Sequence, residues 1–417
     1  MTAGYKRVKS ACYASNVTMS IVGNLSPVLF LTFNTLYGIS YTALGFLVLI
    51  NFVTQLTVDL IFSFFSHKFN ITAAVKSAPV LSFIGLVIYA LLPFLFPDNV
   101  YPCILIGTVI FSAASGFNEV LISPVIAAIP SDDPDREMSK LHSIYAWGVV
   151  FVIAISTFFL LIFGNENWQW LALLFALVPL TATFLFWGAK LPELETPAKT
   201  SGVLEFFKKK GLWICVFGIF LGGAAECTMA QWSSGYLERA LEIPKVWGDL
   251  FGVALFSVML GLGRSLYAKY GKNICRVLFI GAIGSTLCYL VAAISGVAVI
   301  GLIACAFTGF CTSMLWPGSL IAVSDRFPHG GVLVFALMAA GGDLGASVGP
   351  QLVGVITDAI NSSAKMAQIA ADMGLTPDRL GMKCGILVGM IFSLVAVFVY
   401  LRIMKTQKNF MAKEQSL

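Results

Sequence analysis

Apolar runs long enough to cross a bilayer recur along the whole 417-residue chain, and they constrain its fold more than any motif does. A crossing helix needs roughly 20 apolar residues to cover about 30 Å of hydrocarbon. Runs bounded by charges, Pro and Gly predict twelve such helices. They lie near 14–36, 43–66, 74–96, 101–127, 140–164, 168–189, 212–237, 247–268, 275–296, 298–323, 332–357 and 383–404. Only Ser295-Gly296 separates the ninth from the tenth. The first run is too long and too polar (Asn16, Thr18, Ser20, Asn24, Ser26) for the apolar region of a cleaved signal, and reads as a mature helix. Composition agrees: 58% of residues are hydrophobic and 11% charged, where a soluble domain carries about 25% charged residues. The expected fold class is an all-α membrane protein with twelve transmembrane helices.

Placement of Lys and Arg sets the orientation. With the N-terminus inside, 20 of them fall on the cytoplasmic side and five outside, the remaining one being Arg264. Both termini are therefore expected in the cytoplasm, with the chain multi-pass in a cell inner or plasma membrane. The net charge of +5 is spread over loops and forms no single basic face, so a nucleic-acid partner is not expected. Nine Cys occur singly, with no C-x-x-C pair and no zinc spacing. No metal, cofactor or enzymatic motif is expected, and the chain is read as a monomer in the lipid bilayer.

The segment 190–211 is the one sizeable polar linker. It divides the chain into an N-terminal six-helix half (1–189) and a C-terminal six-helix half (212–417). A repeat at an offset of 193 residues supports duplicated halves. Gly116-Phe117 and Pro124 match Gly309-Phe310 and Pro317; Ser131-Asp132 matches Ser324-Asp325; Gly148 matches Gly341. Two pseudo-symmetric halves with a site between them are a secondary-transporter architecture.

Asp59, Glu119, Glu226, Arg264 and Asp343 lie inside the apolar runs. Each costs at least about 2.5–3.5 kcal/mol to place there, and so needs a partner, a watery cavity or a function. Glu119, beside Asn118, is the leading proton-coupling candidate. Apolar surroundings disfavour its ionised form, so it can take up a proton on one side and release it on the other. Its alternative is a structural acid paired with a base or hydroxyl. Glu226, Gln231 and Trp232 supply an acid, an amide and an aromatic suited to a polar solute; Trp232 and Tyr236 are equally placed to anchor at the interface. Asp343 sits among Gly341, Gly342 and Gly345, whose lack of side chains suits close helix packing and does not explain a buried acid. Arg264 either pairs with Asp343 or Glu226 or snorkels to the cytoplasmic surface. Asp59 reads as a gate near that surface. His142 titrates near neutrality and reads as a relay or, more simply, as an interfacial side chain.

Several short motifs resemble those of the major facilitator superfamily, and within it the fucose–proton symporter group. Glu119-Val-Leu-Ile-Ser-Pro124 is similar to the E-x-x-x-N-P pattern of that group, which carries its membrane carboxylate. Glu226, Trp232 and Tyr236 resemble its E-x5-W-x3-Y arrangement; Gly263-Arg264 and Trp316-Pro317 resemble its eighth- and tenth-span signatures. The stretch from Gly341 to Asp358 resembles its Gly-rich eleventh helix. Where that group's first span often reads N-L-N-D, this chain has Asn24-Leu25-Ser26-Pro27, without the carboxylate. The resemblance implies a major facilitator fold and alternating-access transport. The implied site draws on Asn24, Asn118, Glu119, Glu226, Gln231, Trp232, Trp316 and Asp343, with Glu119 and Asp343 coupling protons. The function expected is proton symport of a small polar, sugar-like solute. The alternatives are a proton antiporter that exports amphiphilic drugs and, from another class, a non-transporting sensor or scaffold.

Overall fold

The computed structural model describes residues 3–65, 69–131, 134–192, 209–327 and 331–414, and among them it is helical throughout, with no strand. Helix α1 (Ala3–Val28) contains Pro27, which removes one backbone N–H and crowds the preceding turn. The chain accordingly bends by 42° before α2 (Phe30–Tyr37), so the first predicted span is a bent pair of helices. There follow α3 (Tyr41–Phe65), α4 (Ile71–Leu95), α5 (Val100–Ala128), α6 (Pro134–Phe163) and α7 (Trp168–Phe186). The next is α8 (Lys210–Leu241). A helical turn and a π-helical stretch, Gly248–Ala254, lead into α9 (Leu255–Tyr270). Then come α10 (Ile274–Ile294) and α11 (Ala298–Thr312). Last are α12 (Pro317–Arg326), α13 (Gly331–Asn361), α14 (Ala364–Asp372) and α15 (Pro377–Glu414).

Among the described residues nine segments are long and apolar enough to span a bilayer, and the bent α1–α2 pair makes a tenth. Helices α6 and α13, of 30 and 31 residues, occupy the positions of the fifth and eleventh predicted spans. Local chemistry sets the helix ends. Asn70 and Asn273 cap α4 and α10, accepting from Ala73 N at 3.0 Å and Arg276 N at 3.1 Å. Ser295 does end α10, and its hydroxyl turns back onto Val297. Pro317 divides the tenth span into α11 and α12. The amphipathic α14 lies between two spans and carries no apolar run that would announce it.

The chain clusters into two compact units, one of Met1–Ile39 with Ile50–Thr200, the other of Ser40–Leu49 with Ser201–Leu417. Each has its own apolar core, around Cys12, Phe62 and Val125 in the first and Leu278, Leu315 and Tyr400 in the second. The helix pairings repeat from one to the other. In the first, α1 packs on α5, α6 and α7, and α4 on α5 and α7. In the second, α8 packs on α11, α13 and α15, and α10 on α11 and α15. The glycines of α13 explain one pairing. Gly341, Gly345 and Gly349 recur every four residues and meet Val216, Phe220 and Ala224, at the same interval on α8. Any side chain at Gly345 would run into the Phe220 carbonyl. The stripe is thus a close-packed helix interface.

Candidate functional site

The intramembrane polar groups form two clusters, one within each unit. In the first, Asn51, Gln55 and Asp59 lie at four-residue steps along one face of α3, and Ser112, Ser115 and Glu119 at steps of three and four on one face of α5. Ser112 donates to Asn51 Oδ1 at 2.5 Å, and Ser115 to Gln55 Oε1 at 3.1 Å. Gly116 permits this approach: a β-carbon there would lie 2.8 Å from Val58 Cβ and 3.1 Å from the Gln55 carbonyl. The next positions along these faces are Asp59 and Glu119, which lie within electrostatic reach of each other. One oxygen of Asp59 is buried without a hydrogen-bond partner, whereas Glu119 is accessible. Neighbouring Asn118 is buried, and its amide nitrogen has no partner among the described residues. Asp59 thus lies near Glu119, a neighbour its sequence position did not suggest. Asn51, Gln55, Ser112 and Ser115 were not singled out by sequence; polar residues at helical spacing on two apolar spans were the available signal.

Asn24 lies on α1 and donates to the Ser20 carbonyl of its own helix at 2.9 Å. Ser20 also donates to the Tyr145 carbonyl at 2.9 Å, and Ser26 shares a 3.0 Å hydrogen bond with Tyr89. The side chain of His142 lies outside the described residues, as do residues 193–208 of the linker.

In the second unit Glu226 and Arg264 form an ion pair at 3.3 Å. Arg264 Nε also donates to the Ser313 carbonyl at 3.0 Å. The arginine, for which pairing and snorkelling were both open, thus turns to a carboxylate on α8, although its side chain is 43% exposed. The second oxygen of Glu226 is buried without a hydrogen-bond partner, as is Oε1 of Gln231. Asp343, 4% exposed, lies with Glu226 and Arg264 in the electrostatic neighbourhood of Cys227. Trp316 lies across the space left by Gly342 and Gly223; a β-carbon on Gly342 would be 2.6 Å from its ring.

Trp232 stands differently from expectation. It is 1% exposed, and its indole N–H donates to the Pro350 carbonyl at 2.9 Å. As placed, it neither anchors at the interface nor offers a face to a solute. Tyr236 is likewise buried and donates to the Ala292 carbonyl. A carboxyl missed by sequence reasoning, Asp249, is fully buried in the π-helical stretch and accepts from the Ser234 hydroxyl. It stands near the start of its predicted span, where an acid draws no notice.

Residues 11–350 match the family model of the Major Facilitator Superfamily. The chain belongs to this superfamily. Solved facilitators share its fold. One is a bacterial homologue of the human lysosomal transporter Spinster, inward-facing and occupied, with TM-score 0.75 and 13% identity over 97% of this chain and 98% of that one. A D-xylose–proton symporter matches with TM-score 0.68 and 16% identity, covering 94% and 97%. A variant of the E. coli fucose–proton symporter FucP matches with TM-score 0.58 and 14% identity, covering 93% and 98%. At these identities the likeness is one of fold. No curated protein matches the sequence.

Proposed function

We propose that this facilitator is a secondary transporter that moves a small polar solute together with protons by alternating access. The observation that carries the reading is the ladder between α3 and α5, which ends in two carboxyls. Two acids within electrostatic reach of each other on facing spans are suited to holding and passing on a proton. We assign the exchange of that proton to Glu119, the more exposed of the two, with Asp59 as its companion. In the second unit Glu226, Gln231 and Arg264 provide acceptors and donors suited to hydroxyl-rich solutes, and Asp343 lies nearby. That two fold neighbours are named as sugar–proton symporters agrees with this assignment.

The test uses proteoliposomes with an imposed pH gradient and a panel of labelled monosaccharides, D-xylose and L-fucose among them. Inward accumulation that dissipates the gradient is expected. Glu119→Gln should abolish accumulation and leave counterflow exchange partly intact, because exchange needs no net proton movement. Equal loss of both activities would assign Glu119 to solute binding or folding. Outward movement of an amphiphile against proton entry would replace symport by antiport.

A further inference from the structure

Helix α3 begins with a cap that its own sequence supplies only in part. Ser40 Oγ accepts from Ala43 N at 3.2 Å, satisfying one of the free N–H groups of the first turn. The N–H groups of Tyr41 and Thr42 instead donate to Asp358, 3.2 and 2.6 Å away, 317 and 316 residues further along the chain on α13. A carboxylate at that point also complements the positive end of the helix dipole. Other contacts hold the same segment. Gln351 Nε2 donates to the Thr42 carbonyl at 3.3 Å, and the Tyr41 hydroxyl to Asp378 at 3.3 Å. Gly354 lies directly against the Tyr41 backbone, and the Tyr41 ring lies 6.1 Å from that of Trp232.

Ser40–Leu49 accordingly packs as part of the second unit, while α3 from Ile50 onward belongs to the first. The helix is continuous across that boundary, and its only glycine, Gly45, lies before it; there is no proline. Sharp kinks arise at Pro, Gly or a bulge, so α3 has no hinge at residues 49–50. Under alternating access, packing contacts such as those holding this segment against α13 form and break in the course of the cycle.

We propose that Asp358 holds a releasable latch: it caps the N-terminus of α3 in one stage of the cycle and frees it in another. The latch rests on the alternating-access reading above, and the excess of Lys and Arg on the N-terminal side puts it at the outer face. Asp358 acts here as a positioning residue, through helix α3 and not through contact with the solute.

Leu44, fully buried within this segment, reports release without any solute. Leu44→Cys is treated from outside with a membrane-impermeant methanethiosulfonate, and labelling of the parent protein's own cysteines is subtracted. Slow labelling is expected, about 2- to 5-fold faster with Asp358→Ala, the range a charge at a helix end supports. Asp358→Asn, which keeps one acceptor, should fall between and guards against misfolding of the alanine variant. Tyr41→Phe keeps both backbone bonds and should label like the parent. No labelling above background, or equal rates with and without Asp358, would overturn the latch. Labelling that depends on Asp358 in a protein that moves no panel solute would uphold the latch and count against the symport reading.

Discussion

At the scale of single residues, position in the sequence suggested chemistry, and the fold decided which chemistry was open. Trp232 has an aromatic face and one N–H donor, and its surroundings use both. Trp232→Phe should cost about 0.5–1.5 kcal/mol, the net worth of one hydrogen bond, and leave solute binding nearly unchanged. A lowered unfolding temperature with unaltered uptake would show this; a large loss of solute affinity would return Trp232 to the site. Glu226 and Arg264 make the complementary case. Because the guanidinium is 43% exposed, water screens the pair, and its coupling should stay near about 1 kcal/mol. A double-mutant cycle of Glu226→Gln and Arg264→Gln, read by thermal unfolding, measures that coupling. Additive losses would mean the two groups act separately.

At the scale of helices, the glycines of α13 are the informative residues. Gly345 faces the Phe220 carbonyl with no room for a side chain, whereas Gly261 on α9 has open space around its β-position. Gly345→Val should therefore cost about 1–3 kcal/mol by overpacking. Gly261→Ala should stabilise by up to about 1 kcal/mol through helix propensity alone. Thermal unfolding in one detergent compares the two, and equal effects would contradict the packing account. The four-residue glycine spacing made this interface readable before its partner was known. The bend after α1 was less so: Pro27 stood in the sequence, but a run of apolar residues does not say how far a proline bends its helix.

At the scale of the whole molecule, charge placement predicts the orientation. Lys365→Cys, on exposed α14, should react with an impermeant thiol reagent in intact cells, and Lys272→Cys only after permeabilisation. The reverse pattern would invert the topology. The proposed proton coupling belongs to the same scale, since it would join proton uptake to movement of the whole chain. Asp59→Asn should weaken gradient-driven accumulation without abolishing it, because Glu119 remains to carry the proton. Complete loss, matching that of Glu119→Gln, would make both carboxyls obligatory.

Hydrophobicity and length are local properties, so the sequence by itself determined where helices run, where Ser295 and Pro317 interrupt them, and which charges lie within them. The matching of Gly148 with Gly341 likewise announced a duplication that reappears as repeated helix pairings. Which groups meet was decided only by the tertiary structure. That Arg264 turns to Glu226, that Asp59 lies near Glu119, and that Asp358 caps a helix 317 residues away depend on the rotation and register of packed helices. Apolar patterning leaves both free, because lipid accepts any apolar face of a helix equally well.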